Sequence, residues 1–428
     1  MRKFTPTEYL RVLGNCALYG PSFLRRPYAS RASIERYQCT RLKQLLAHAY
    51  ANTSLYRTKY DAAGVHPRDL RSLADLQRFP LVTKDELIAY VETDFLRESK
   101  SHYIQSVSSG SSGKVLTVLH EPADTWAYAL GRYRILDMNG RYRPWDLTLY
   151  IYTSEYPANS VLGAYRSAFI STLTPIKETL QRIYALRPSF LCTYPSHLLE
   201  LMQHLSREEA RGLHLKVISL GSEMSSRTQR ETIADFFQTT VLDEFSSEEL
   251  GWMATECSYG RYHVWEDICH IEVSHDGAII GTNLHNFVTP CIRYLQNDLA
   301  EVGEQIPCPC GRTFKTIKNI VGRKNDHFTF SNGRVLTPAY LLDSVYAVLL
   351  DTPDLVADFC LIQETVSRVT LEILPGKSFA DSSQAHIRQL LQSLFPQAVE
   401  LRVVVTNLLT KTKSGKRNPI ISRVTHQI

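Results

Sequence analysis

Phe190-Leu191-Cys192-Thr193-Tyr194-Pro195-Ser196-His197-Leu198 reads as a strand that runs into a proline turn and leaves it as a helix. Pro195 suits that turn because a proline's missing N–H has no intrahelical acceptor in a helix's first turn. The same alternation continues on both sides. Residues 147–152, 216–220 and 240–244 read as further short apolar strands, with helical apolar spacing over 177–185 and 196–205. Strands alternating with helices predict α/β layering.

Toward the N-terminus, Ile34, Tyr37, Leu42, Leu45, Leu46 and Ala49 repeat at helical spacing over 34–51. Phe79-Pro80 breaks the chain, and Thr83 followed by Asp85 and Glu86 predicts a helix start. Toward the C-terminus, 263–302 reads as a meander with turn signals at Asp276-Gly277 and Gly281. Beyond Gly322 the texture changes. Asn332-Gly333 signals a hairpin. Helices over 339–350 and 385–394 and strands near 359–362, 368–373 and 400–405 complete a small α+β segment of about 100 residues, a normal domain size. The expected fold class is therefore α/β, with a large multi-layer N-terminal domain over 1–323 and a small α+β C-terminal domain over 324–428.

The 428 residues suffice for two or three domains, and a hydrophobic share of 44% with 21% charged residues is that of a globular protein. No stretch approaches the ~20 apolar residues of a membrane helix, and Met1-Arg2-Lys3-Phe4-Thr5-Pro6 lacks the apolar core of a signal peptide. A cytoplasmic protein with no membrane insertion is expected. The net charge of +5 is small and without a long basic block. It suits anionic small molecules and argues against nucleic acid as a partner. The nine cysteines are odd in number and scattered, so no disulfide framework is expected. Cys16, Cys39, Cys192, Cys269, Cys291 and Cys360 read as packing residues.

Ser108-Ser109-Gly110-Ser111-Ser112-Gly113-Lys114 has the chemistry of a polyphosphate cradle and, read alone, equally suits a flexible Ser/Gly loop. Glycine lets the backbone approach a ligand closely, successive N–H groups form an anion nest, and the lysine adds a point charge. It is not a Walker A loop. Only Ser111 and Ser112 separate Gly110 from Gly113, and the flank 115–119 reads as a strand rather than a helix.

Further motifs follow in order: Leu220-Gly221-Ser222-Glu223, then Asp243-Glu244-Phe245-Ser246-Ser247-Glu248, then Arg293-Tyr294-Leu295-Gln296-Asn297-Asp298. Val321-Gly322-Arg323-Lys324-Asn325-Asp326 and Thr412-Lys413-Ser414-Gly415-Lys416-Arg417 close the series. Together with 108–114 and 190–198, this order resembles the adenylate-forming superfamily of acyl-CoA synthetases and adenylation domains. It is most similar to the phenylacetate–CoA ligase family and its CapK-like branch, over nearly the whole chain. Ser54-Leu55-Tyr56-Arg57 and Phe79-Pro80-Leu81-Val82-Thr83-Lys84 resemble that family's N-terminal helices.

The resemblance implies an enzyme that binds ATP, Mg2+ and a small-molecule carboxylate and forms an acyl-adenylate with release of pyrophosphate. It then passes the acyl group to an acceptor thiol or amine, with CoA as a possible co-substrate. Ser108 to Lys114 would hold the β- and γ-phosphates. Glu248 would hold Mg2+, a hard cation suited to carboxylates and phosphates. Asp298, with Arg323, would hold the ribose hydroxyls, since a carboxylate accepts two hydrogen bonds from a diol. Phe245, with Ser246 and Ser247, would flank the adenine face, and Gly221, Ser222 and Glu223 its edge. Tyr194 and Pro195 would shape the acyl pocket. Lys416, on a mobile C-terminal domain, would reach the α-phosphate and the attacking carboxylate, with Lys413 as the other lysine of the run. Asp326 stands where the hinge is expected. Read singly, Glu248 also suits a helix N-terminus, Asp298 a turn cap and Tyr194 a core position.

This chain departs from the family's Tyr-Gly at Phe245-Ser246. It also has fewer cations in its Arg293 to Asp298 run, which bears on the acyl acceptor more than on adenylation. The other readings are an adenylyltransferase or amide ligase without CoA, and a nucleotide-binding, non-catalytic relative. Separately, Cys308-Pro309-Cys310-Gly311 reads as a tight knuckle that, with Cys257 and His263, has the donor set of a Cys3His zinc site, which would be closed and structural in kind; the other reading is four packed or solvent-facing side chains. Some members of the resembled family carry the same pattern.

Overall fold

The computed structural model describes residues 4–95, 100, 102–108, 114–153, 165–303, 306–350, 355–410 and 417–424. Ser109, Gly110, Ser111, Ser112 and Gly113, and likewise Lys413 and Lys416, lie outside the described residues. In chain order the strands are β1 (Ile104–Val107), β2 (Thr117–His120), β3 (Thr148–Tyr152), β4 (Ser167–Ser171), β5 (Phe190–Thr193), β6 (Val217–Gly221), β7 (Thr240–Ser247), β8 (Gly251–Glu256), β9 (Tyr262–Val264) and β10 (Cys269–Val273). Then come β11 (Ala278–Asn283), β12 (Tyr294–Val302), β13 (Thr316–Arg323), β14 (Phe328–Thr329), β15 (Val335–Leu336), β16 (Val356–Thr365), β17 (Arg368–Pro375), β18 (Glu400–Val405) and β19 (Ile420–Ser422). The chain divides into two compact units, residues 1–138 with 244–319, and residues 139–243 with 320–428.

The first unit begins with helices. The apolar repeat over 34–51 becomes helix Arg31–Asn52, which buries Ile34, Leu42, Leu45, Leu46 and Ala49. Thr83 opens helix Lys84–Asp94 through a reciprocal cap. Its backbone N–H donates to the Glu86 carboxylate at 2.8 Å, and the Glu86 N–H donates back to the Thr83 hydroxyl at 3.4 Å. Strands β1 and β2, which flank the serine- and glycine-rich run in sequence, pair antiparallel. The remaining strands form an antiparallel meander. β7, from Glu244 on, pairs with β8, β8 with β9, and β9 with β13. β10 pairs with β11 and β11 with β12.

The second unit holds the α/β layering. β3, β4, β5 and β6 are all parallel, in the order β6-β5-β3-β4. β5 and β6 are buried along their whole length, which is why they read as unbroken apolar runs. Helices Ile176–Leu186, Pro195–Met202 and Arg227–Phe237 cover this sheet. Leu149, Ile151, Ile183, Leu198, Ile218 and Ile233 share its core. Residues after β13 add a mixed four-stranded sheet in the order β18-β17-β16-β19 with helices Pro338–Leu350 and Asp381–Gln392. This part has its own core of Phe328, Leu341, Phe359, Leu371, Ile387, Leu401 and Ile420. The Asn332-Gly333 signal is met by the β14–β15 hairpin, where Gly333 takes φ +79° and Asn332 accepts from the Arg334 N–H at 3.0 Å.

Helices Pro6–Arg25 and Trp126–Gly140 and strands β8 and β13 carry no clear sequence signal. The first helix contains Pro21 with Gly14 and Gly20, residues that normally punctuate a helix. The second is apolar on several faces and shows no single stripe. Glu248 lies in the turn between β7 and β8, not at a helix start, and Asp298 lies within β12, not in a turn. No described helix is long and apolar enough to cross a membrane.

Candidate active site and metal centre

Three of the sequence motifs meet in the second unit. β5 ends at Thr193, and Tyr194 follows as the residue that caps helix Pro195–Met202. Tyr194 is buried, with its hydroxyl 3.1 Å from Thr153 Oγ1 and its ring edge-on to Tyr152 at 4.9 Å. Beside it, β6 ends at Gly221, and Ser222 turns the chain sharply with φ +66°. That turn presents Glu223. Its Oε2 accepts from the Ser196 N–H at 3.3 Å and its Oε1 from the Arg417 N–H at 3.1 Å. The carboxyl ends of parallel strands are where α/β folds collect ligand-binding loops.

Arg417 is held from its other end as well. Its guanidinium pairs with Asp358 on β16 and donates to the Phe359 carbonyl at 2.9 Å. Burial pulls this guanidinium below its ordinary range, against the raising influence of Tyr346, Glu223 and Glu200. Next to it, Asn418 donates to Asp326 at 3.0 Å. Arg323 ends β13 directly after Gly322, which has φ +102°. A Cβ at Gly322 would stand 2.7 Å from Met224 Cε and 2.8 Å from Pro338 Cβ, so both the backbone and the space require glycine.

The first unit carries the other motifs. Ser108 begins the serine- and glycine-rich run. Its N–H donates to the Leu116 carbonyl and its hydroxyl accepts from the Leu116 N–H, both at 2.9 Å. Lys114, at the other end, pairs with exposed Asp85 at 2.5 Å. Phe245, Ser246 and Ser247 lie on β7 at an irregularity in its pairing with β8. Asp298 shares a face of β12 with Gln296, whose amide donates to Asp298 Oδ2 at 2.7 Å.

Three acids stand close together in sequence, and their surroundings separate them. Glu244 is buried against Arg132 in an ion pair. Glu248 is exposed. Glu249 is buried, accepts from the Tyr294 hydroxyl at 3.3 Å and lies 4.0 Å from Lys84 Nζ. Burial, with the negative charge of Glu249, keeps that hydroxyl protonated well above its usual range. Spacing alone does not rank these acids, and only the fold distinguishes the fixed carboxylate of Glu249 from the exposed one of Glu248. His120, which sequence reading passed over, is buried at the end of β2 between Ser106 and Asn286. Burial lowers its pKa to about 4, so it is neutral at physiological pH.

The four metal-ligating candidates converge within the first unit. The donor atoms of Cys257, His263, Cys308 and Cys310 all lie within 4.8 Å of one another. Cys257 follows β8 in a tight turn where Gly260 takes φ +69° and donates to the Cys257 carbonyl at 2.8 Å. Cys308 and Cys310 sit in a second turn closed by Gly311 N–H to the Cys308 carbonyl at 2.9 Å. Pairing of β9 with β13 aligns His263 with Thr316 and brings the two turns together.

Cys257 Sγ is 3.7 Å from Cys308 Sγ, and Cys310 Sγ is 3.3 Å from His263 Nε2. A tetrahedral zinc with ~2.3 Å bonds to sulfur sets its sulfurs about 3.8 Å apart. His263 Nδ1 donates to the Phe314 carbonyl at 3.3 Å, which leaves Nε2 to face the sulfurs. The donor set and its spacing fit a closed, four-ligand soft-metal site.

No protein-family model matches the chain. Over 326 residues the chain is 30% identical to a phenylacetate-coenzyme A ligase of Escherichia coli (strain K12), an alignment covering 70% of this chain and 73% of that relative. It is 25% identical over 389 residues to the phenylacetate-coenzyme A ligase of Thermus thermophilus, covering 85% of each. Among solved structures it resembles 2-hydroxyisobutyryl-CoA ligase in its postadenylation state with R3-HIB-AMP. The TM-score is 0.75 at 22% identity, over 93% of this chain and 91% of that one. ATP-bound MatB from Rhodopseudomonas palustris matches with a TM-score of 0.53 at 15% identity, over 73% of this chain and 65% of that one.

Proposed function

The chain belongs to the phenylacetate–CoA ligase family, and from that premise we propose how its residues divide the work of an AMP-forming acid–thiol ligase. The enzyme joins a carboxylic acid to a thiol in two steps. A carboxylate oxygen attacks the α-phosphorus of ATP, the bond to the β-phosphate oxygen breaks, and pyrophosphate leaves. A thiol then attacks the acyl carbonyl and AMP departs. CoA is the proposed thiol, and the cytoplasm the proposed compartment.

One geometric observation supports this assignment most directly. Glu223 links the acyl-pocket motif at Ser196 to the C-terminal run at Arg417 through a single carboxylate. In our reading Tyr194 and Pro195 wall the acid's pocket. Gly221, Ser222 and Glu223 border the adenine, with Phe245, Ser246 and Ser247 along its face. Asp298, oriented by Gln296, and Arg323 hold the ribose. Lys416 supplies the cation for the attack, and residues 324–428 turn as a body between the steps, a gating motion about Asp326. A screen of carboxylates, phenylacetate among them, for ATP-dependent pyrophosphate release and then CoA thioester tests the reading. Release that depends on an acid supports it, and no release with any acid overturns it.

Lys114 is expected to exchange Asp85 for the ATP phosphates. Lys114→Ala should raise the KM for ATP roughly 10- to 100-fold, the scale of the ~1.5–3 kcal/mol of a charge-assisted contact, and leave the acid's KM nearly unchanged. Steady-state kinetics in each substrate decide this. Unchanged ATP affinity would make the run at 108–114 a linker.

Mg2+, which neutralises phosphate charge when bound, would find its oxygen ligands at Glu248 and Glu249. Carboxylate oxygens suit such a hard cation. Glu248→Gln and Glu249→Gln should each raise the Mg2+ concentration for half-maximal activity. A Mg2+ requirement unchanged in both variants would overturn the assignment. Zinc is proposed for Cys257, His263, Cys308 and Cys310, where it would tie the β8–β9 turn to the Cys308 knuckle.

A further inference from the structure

Glu223 spends both carboxylate oxygens on backbone N–H groups that belong to distant segments. Ser196, 27 residues earlier, sits in the first turn of helix Pro195–Met202, where N–H groups have no intrahelical acceptor. A carboxylate there satisfies one such group and matches the positive end of the helix dipole. Arg417 lies 194 residues later, ahead of β19, so its N–H has no strand partner from that pairing. Both bonds have a charged acceptor, which makes them stronger than amide–carbonyl bonds.

The opposite end of Arg417 is tied to β16 through Asp358 and the Phe359 carbonyl. Residue 417 is thus clamped from two directions, to the β6 turn through its backbone and to the C-terminal sheet through its side chain. Gln203 donating to the Ala357 carbonyl at 2.8 Å and Gln229 donating to the Tyr346 hydroxyl at 2.9 Å brace the same two parts. They are neutral contacts, whereas Glu223 brings a charge.

We propose that Glu223 is a positioning residue, a carboxylate clamp that seats the Arg417 segment against the pocket helix and so favours the first half-reaction over the second. The inference rests on the ligase reading above. Arg417 directly follows Lys416 in the chain, and consecutive Cα atoms are ~3.8 Å apart, so fixing residue 417 limits where its neighbour can reach. The two steps need that cation unequally. In the first, an anionic carboxylate attacks an anionic phosphate and charge shifts onto the leaving pyrophosphate. In the second, a thiol attacks an already activated carbonyl. Losing the clamp therefore falls mainly on adenylation.

The full chain tests this with the two steps measured separately. Pyrophosphate release reads the first, with an acid found active in the screen. Single-turnover thioester formation from supplied acyl-adenylate and CoA reads the second. Glu223→Gln keeps the side chain's size and one acceptor but removes the charge. It should slow adenylation about tenfold more than it slows the thioester step. Asp358→Asn, which loosens residue 417 from the side of β16, should shift the ratio of the two rates in the same direction. A Glu223→Gln variant that adenylates at the wild-type rate, or that loses both steps equally, overturns the clamp. A wild-type chain that releases no pyrophosphate with any acid overturns the ligase reading and the clamp with it.

Discussion

Lys416→Ala is expected to lower acyl-adenylate formation by roughly 10²–10³-fold, the scale on which a fixed donor to developing transition-state charge acts. When the carboxylate attacks, negative charge gathers on the α-phosphate oxygens, and a cation placed there beforehand lowers the barrier without reorganising solvent. The loss should appear in kcat for pyrophosphate release more than in the KM for either substrate, because a contact made only in the transition state does not contribute to substrate binding. The thermal midpoint should hold, since the core of this part runs through Phe328, Leu341, Phe359, Leu371 and Ile420. Lys413→Ala is the comparison. If Lys416→Ala adenylates normally and Lys413→Ala does not, the earlier lysine of the run is the catalytic one. If neither variant slows the step, the C-terminal run plays no chemical part.

The second large effect concerns the metal. Protein purified without chelators should contain about one zinc per chain, and Cys308→Ser with Cys310→Ser should abolish it. The same variant should lose roughly 4 kcal/mol or more of stability, the class of effect that loss of a structural metal produces. Among the described residues, the two turns that carry the cysteines are closed by the backbone bonds from Gly260 to Cys257 and from Gly311 to Cys308. Acidification should release the zinc cooperatively with unfolding, because thiolate ligands must stay deprotonated to bind. Metal analysis and thermal melts with and without chelator measure both. A metal-free wild type of full stability would reduce the four side chains to packing.

The sequence by itself determined the parts that depend on local spacing. The apolar runs at Phe190–Thr193 and Val217–Gly221 read as strands because both faces of each are buried, so no alternation interrupts them. Thr83 with Glu86 marked a helix start, and Asn332-Gly333 a hairpin, because caps and turns are chemistry between near neighbours. The cysteine and histidine types of the candidate metal site were legible too, since three cysteines and a histidine in two short turns are a recognisable donor set. The family was legible from the order of short motifs, each weak alone.

Tertiary structure decided what depends on distant partners. That Cys257 and Cys308, 51 residues apart, bring their sulfurs to 3.7 Å follows from the β9–β13 pairing, which no local pattern encodes. That Glu249 is fixed and Glu248 exposed follows from where the β7–β8 turn meets Tyr294 and Lys84. The resemblance gave Glu223 as an acid at the adenine edge, but its grip on Ser196 and Arg417 needed two distant segments folded onto one turn. Local sequence sets backbone conformation through propensity and capping, over a few residues. Which side chains share a site is set by sheet order and helix packing, whose energies sum over the whole chain.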